Sequence, residues 1–210
     1  MLKKIASFTI NHDTLTPGMY VSRIDGDCVT YDLRLKFPNQ GDYVAQPALH
    51  TLEHLIATFV RSSTASEQVV YFGPMGCRTG FYLILRDSMS KADALQLVRD
   101  AFRFAADFEG EIPGAKKIEC GNYLEHDLTG AKQEATAYCG VLSRCSEATM
   151  VYPDEGRRPR MKKIAMVGDL HGNLTATLAM EKALKDYHVD EIWFLGDAVG
   201  KGPQSRETCD

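Results

Sequence analysis

Three things are missing from this chain of 210 residues, and each removes a class of function. No apolar run approaches the roughly 18 residues that a membrane-crossing helix requires, and no charged-then-apolar leader opens the sequence. The expectation is a cytoplasmic protein with no membrane partner. Basic charge is not in excess: 24 Lys and Arg against 28 Asp and Glu leave a net charge of −4, without the footprint of a nucleic-acid binder. The six cysteines follow no disulfide framework, which suits a reducing compartment. Cys28, Cys139 and Cys145 have no metal-ligand spacing and read as structural.

What is present is concentrated in His50-Thr51-Leu52-Glu53-His54. Pro47 just before it suits a first helical turn, and Leu49, Leu52, Leu55, Ile56, Phe59 and Val60 recur at helical spacing. Positions i and i+4 of a helix share a face, so both imidazoles can close on one divalent metal with Glu53 beside them. This is the inverted zincin pattern, in which histidines hold metal and the glutamate moves protons. A catalytic zinc or iron site usually takes three protein ligands and leaves a position open. The third can be a carboxylate, a histidine or a thiolate from elsewhere. Two cysteines lie in stretches whose glycines allow close backbone approach: Cys77 within Gly73–Gly80, and Cys120 within Glu119–Leu128.

In this order and separation, the three segments resemble the S-ribosylhomocysteine lyase (LuxS) family. Ser7-Phe8, His12, Asp32-Leu33-Arg34 and Pro38-Asn39-Gln40 agree with it, and the likeness spans roughly residues 3 to 150. The resemblance implies His50, His54 and Cys120 as metal ligands, with a water in the fourth position. It implies ferrous iron as the ion, which zinc can replace, and Cys77 and Glu53 as the catalytic pair that shuttles protons. Ser7, His12 and Arg34 would line the substrate pocket of a homodimer whose active sites lie at the interface. Arg34 would hold the homocysteine carboxylate by a bidentate contact. The implied reaction cleaves the thioether of S-ribosylhomocysteine to homocysteine and 4,5-dihydroxy-2,3-pentanedione, an autoinducer precursor in quorum sensing and a step of the activated methyl cycle. It proceeds by metal-assisted isomerisation and β-elimination. Tyr71, where many relatives carry aspartate, and Phe72, in place of an aliphatic residue, are departures that touch the pocket. The loop from Asn39 to His50 is slightly longer than usual.

Two rival readings differ in kind. An inverted-zincin metallopeptidase would take a glutamate from a downstream helix as its third ligand. A binding protein would hold a structural metal in a closed, four-ligand site.

The scaffold reads as an α+β domain, an antiparallel sheet with helices packed on it. Residues 18–37 alternate around Asp25-Gly26-Asp27 as a hairpin does. Strands are expected at 68–72 and 79–86, flanking the Cys77 loop. A helix capped by Ser88 or Ser90 is expected to run to about Phe108, and another spans about 129–145. This domain is assigned to residues 1–152, followed by a polar linker at 153–160. Residues 161–210 begin afresh as a β-α-β fragment, of which roughly 161–203 resembles the first part of a calcineurin-like metallophosphoesterase. There Asp169, His171 and Asp197 match ligands of a two-metal site. The later blocks of that family are not found before Asp210, so the segment is expected to be a truncated remnant without phosphoesterase activity.

Overall fold

The turn signal at Asp25-Gly26-Asp27 closes the first hairpin in the computed structural model, which describes residues 5–153, 164–168, 170–171, 173–187 and 191–195. Strand β1 (Gly18–Asp25) pairs antiparallel with β2 (Cys28–Arg34), Asp25 opposite Cys28. The turn's first residue, Gly26, has φ +60°, a conformation that costs little without a Cβ. A second hairpin joins β3 (Val69–Pro74) to β4 (Gly80–Arg86), giving the antiparallel order β1-β2-β4-β3. Gly80 faces Arg34 in this register, and a Cβ there would collide with the carbonyl oxygen of Leu33.

Side chains alternate across a strand, so the pairs Val29–Leu85, Tyr31–Leu83 and Leu33–Phe81 share one face. All six are buried in the main core. Three helices cover them: α1 (Gln46–Ser62), α2 (Lys91–Asp107) and α3 (Leu128–Leu142). Pro47 starts α1, the Ser90 hydroxyl caps α2 by accepting from the Asp93 amide, and Asp127 caps α3 by accepting from Gly130. Leu52, Leu55 and Ile56 of α1 are at most 1% exposed. Burying each such side chain contributes roughly 1.5–3 kcal/mol. Ala101 and Ala105 of α2 and Ala131 and Ala135 of α3 are fully buried, letting those helices approach closely. The Phe102 ring meets Tyr138 edge-on at 4.6 Å.

The opposite face of β2 is polar and equally closed. Asp32 and Arg34 are 0% and 2% exposed and joined twice, Nε to Oδ1 at 3.1 Å and Nη2 to Oδ2 at 2.6 Å. Tyr152 donates its hydroxyl to Asp32 Oδ2 at 2.9 Å and stacks on Tyr20 at 5.0 Å. Burial first, then the Asp32 charge, push the Tyr152 hydroxyl far above its ordinary range, so it stays a donor. For Arg34, burial works against the charge, and the adjacent Asp32 carboxylate more than offsets it.

The chain divides into two compact units, Met1–Arg158 and Pro159–Asp210. In the second, β5 (Ile164–Val167) and β6 (Glu191–Phe194) run parallel, with α4 (Leu174–Tyr187) between them in sequence. Asn173 caps α4 by accepting from the Ala176 amide. Asp169 and Asp197 lie outside the described residues. Among those described, no helix is long and apolar enough to cross a membrane.

Removing one member of a buried ion pair strands the other. Asp32→Ala is therefore expected to lower unfolding free energy by about 3–5 kcal/mol, measured by urea denaturation.

Candidate metal centre

The face of α1 that carries His50, Glu53 and His54 is covered by the segment between α2 and α3, residues 108–127. Backbone carbonyls of that segment make the covering specific. His54 Nδ1 donates to Pro113 O at 2.7 Å, and His50 Nδ1 donates to Glu125 O at 2.9 Å. A carbonyl can only accept, so each ring carries a proton on Nδ1, and Nε2 is the atom that a neutral ring offers to an ion. Gly114 makes the first contact possible. Its φ is +72°, and a Cβ there would sit 3.1 Å from His54 Nδ1. Fully buried Thr51 holds the far end of the segment, accepting from the Asp127 amide at 2.9 Å while donating to Pro47 O at 2.8 Å.

Covering the helix in this way delivers a sulfur. Cys120 Sγ stands 3.4 Å from His50 Nε2 and accepts from the Asn122 amide. Atoms bound to one ion at about 2.0–2.1 Å (nitrogen) and 2.3 Å (sulfur) lie roughly 3.5 Å apart in tetrahedral geometry, so this spacing already fits. The His50 and His54 rings are mutually perpendicular, at 85° and 4.7 Å. His126 joins them, and one ligand atom from each of His50, His54, Cys120 and His126 lies within 4.8 Å of the other three. Burial first, then the neighbouring His50 and His54, hold the His126 ring below the usual histidine range, favouring its neutral form. Neutral imidazoles with a thiolate suit zinc or ferrous iron, so the donors present fit such an ion. Glu53 is half-buried on the same helix, between the two histidines.

Cys77 lies elsewhere, in the turn between β3 and β4. Bonds from Met75 N to Gly80 O and from Arg78 N to Met75 O close that turn, with Arg78 at φ 57°. The thiol is exposed and sits 3.1 Å from Thr79 Oγ1, which accepts from Arg34 Nη1 at 2.5 Å. Arg34 can only donate, so the single Thr79 hydrogen remains for the sulfur. Cys77 thus sits at the end of a chain running Asp32, Arg34, Thr79. This differs from the expected bidentate grip of Arg34 on a substrate carboxylate, because the Nε and Nη2 positions are already filled by Asp32. Ser7, in the short 3-10 helix Ala6–Phe8, and His12, whose Nδ1 is 3.0 Å from Ile10 O, are not part of the four-donor cluster.

Sequence reasoning did not single out His126, Thr51, Asp32, Thr79 or Tyr152. A signal existed for two of them. His126 lies in the same short segment as Cys120, and Asp32 is two residues from Arg34 in a strand, hence on the same face.

A family model described as S-Ribosylhomocysteinase (LuxS) matches residues 5–147. The S-ribosylhomocysteine lyase of Clostridium acetobutylicum is 48% identical over 158 residues, covering 73% of this chain and 100% of that protein. The protein of the same name from Phocaeicola vulgatus is 48% identical, over 72% of this chain and 98% of its own length. That of Borreliella afzelii is 45% identical, over 72% and 100%. The family match ends before the second unit begins.

Gly114→Ala forces a Cβ against His54 at a backbone angle that L-residues disfavour. It is expected to weaken cobalt(II) binding about tenfold, measured by competition with a chelator, by displacing the Pro113 carbonyl that orients the ring.

Proposed function

The chain belongs to the S-ribosylhomocysteinase (LuxS) family, and from that premise we propose how its own residues carry the reaction. It is a carbon–sulfur lyase that cleaves the thioether of S-ribosylhomocysteine, releasing homocysteine and 4,5-dihydroxy-2,3-pentanedione. The observation that supports our assignment of roles is the convergence of three Nδ1-protonated or neutral imidazoles with Cys120 around one small volume.

In this reading His50, His54 and Cys120 would hold a divalent ion. Bound there, the ion supplies Lewis acidity, which lowers the cost of removing a proton beside a sugar carbonyl. Glu53 and Cys77 exchange those protons on either side of the ribose, first to move the carbonyl along the chain. A final proton removal beside the carbonyl then expels the homocysteine sulfur by β-elimination. No redox partner or hydrolytic water enters the balance. The Thr79 hydroxyl, oriented by Arg34, donates to the Cys77 sulfur and fixes where that sulfur sits. Arg34 thus serves the site through Thr79, while Ser7 and His12 line the substrate pocket.

The same reading makes the ion ferrous iron, which zinc can replace. It makes the chain a homodimer whose interface completes each pocket, and it places the protein in the cytoplasm. The pentanedione product then feeds an autoinducer used in quorum sensing. The metallopeptidase alternative is not favoured, since the donor beside the two helix histidines is a cysteine sulfur. No activity is assigned to the second unit.

The test is release of free thiol from S-ribosylhomocysteine by anaerobically loaded protein. Cys77→Ala and Glu53→Ala are each expected to keep their metal and lose at least about 10²-fold in turnover, the lower range for a lost general acid–base group. Near-normal turnover in either variant contradicts its assignment. His54→Ala and Cys120→Ala are expected to lose metal itself, read by elemental analysis. Full occupancy in those variants contradicts the ligand set.

A further inference from the structure

His126 is the donor that the reaction as described leaves unused. Its surroundings define which of its atoms is available. Thr51 Oγ1 has one hydrogen, directed at Pro47 O, and already accepts from the Asp127 amide. The only role left for it toward His126 Nδ1, 3.2 Å away, is to accept. His126 therefore carries its proton on Nδ1. Its Nε2 presents a bare lone pair, buried and with no hydrogen-bond partner among the described residues. A buried acceptor left unmatched is destabilising, which gives it a reason to be met by something the protein does not itself supply.

Ring orientation decides what that is. An imidazole binds an ion along a lone pair lying in its ring plane. The His126 ring stacks on His50 at 4.2 Å with only 21° between the planes. Planes that close to parallel, one above the other, meet far beyond the ~2 Å reach of a metal–nitrogen bond. As they stand, the two rings do not both aim a lone pair at one ion. His50 is the ring perpendicular to His54, and its Nε2 is the atom 3.4 Å from the Cys120 sulfur. His126 is the one set aside.

We propose that His126 Nε2 is the hydrogen-bond acceptor for a hydroxyl group seated at the open position of the His50/His54/Cys120 site, and not a fourth ligand. The inference rests on the ligand set given above. A ring with its proton fixed on Nδ1 accepts at Nε2 and cannot donate there. It selects a group bearing an O–H, such as a sugar hydroxyl or a water, over a carbonyl or ether oxygen. In a reaction that moves a carbonyl along a ribose chain, such an acceptor fixes which oxygen of the sugar stands beside it.

Two variants separate the possibilities. His126→Asn keeps a donor for Thr51 and removes the Nε2 acceptor, whereas His126→Gln can place an amide oxygen near that point. Each is loaded anaerobically with cobalt(II), and S-ribosylhomocysteine binding is followed in a Cys77→Ala background through the cobalt d–d bands. Both variants are expected to keep the sulfur-to-cobalt charge-transfer band and a chelator-competition Kd within about tenfold of the parent. S-ribosylhomocysteine is expected to bind His126→Asn about tenfold more weakly than the parent, as for one lost hydrogen bond, with His126→Gln recovering most of the difference. Loss of cobalt affinity well beyond tenfold overturns the proposal by making His126 a ligand. Unchanged substrate affinity with cobalt fully bound overturns it by leaving the residue without a role. Absence of the charge-transfer band in the parent itself refutes the Cys120 assignment instead, and is read separately.

Discussion

Two histidine-to-carbonyl hydrogen bonds hold the candidate metal centre together. A helix can place His50 and His54 on one face by itself, but it cannot fix which nitrogen faces outward or how each ring is turned. The carbonyls of Glu125 and Pro113 do both, at 2.9 and 2.7 Å. They belong to one segment, so the contacts that orient the rings also lay that segment across α1 and bring Cys120 and His126 against them. The site is therefore a property of the covering segment as much as of the helix. Gly114 and the Thr51 hydroxyl stand near its two ends, one by allowing close approach and the other by holding it down.

The second constraint is electrostatic. A carboxylate and a guanidinium withdrawn from water are costly unless every polar atom finds a partner, and Asp32 and Arg34 are matched to each other and to Tyr152 and Thr79. That network spans 120 residues of sequence and ties the end of the first unit to β2. It also ends at Cys77. The network runs from β2 to the turn between β3 and β4 that presents the thiol, so the buried pair in the sheet also positions the Cys77 sulfur.

Much of the scaffold was legible because local chemistry decided it. Gly26 marked the hairpin turn, Pro47 marked one helix start and Ser88 or Ser90 another, and the spacing of His50 and His54 put them on one face whatever they bind. Cys120 was visible as one of two candidate cysteines, and only the resemblance chose it as the ligand, since a non-periodic segment gives no clue to where it will lie. His126 was within view and still passed over, because the meaning of a histidine depends on which nitrogen is occupied, and Thr51 decides that from another element. Arg34 was read through resemblance, as a pocket residue that grips a carboxylate. Its buried partner Asp32 changes what that charge can do, and a fork already filled cannot be offered to a substrate. In the second unit the β-α-β order was visible from strand-like runs around a helical one, and β5, α4 and β6 follow that order.

The central claim is that two imidazoles and one distant sulfur share an ion. X-ray absorption at the metal edge of the anaerobically purified, full-length chain tests it most directly. The account requires one sulfur scatterer at about 2.3 Å together with nitrogen or oxygen neighbours at about 2.0–2.1 Å, the sulfur vanishing in Cys120→Ser. A first shell made wholly of nitrogen and oxygen in the unaltered protein would contradict it.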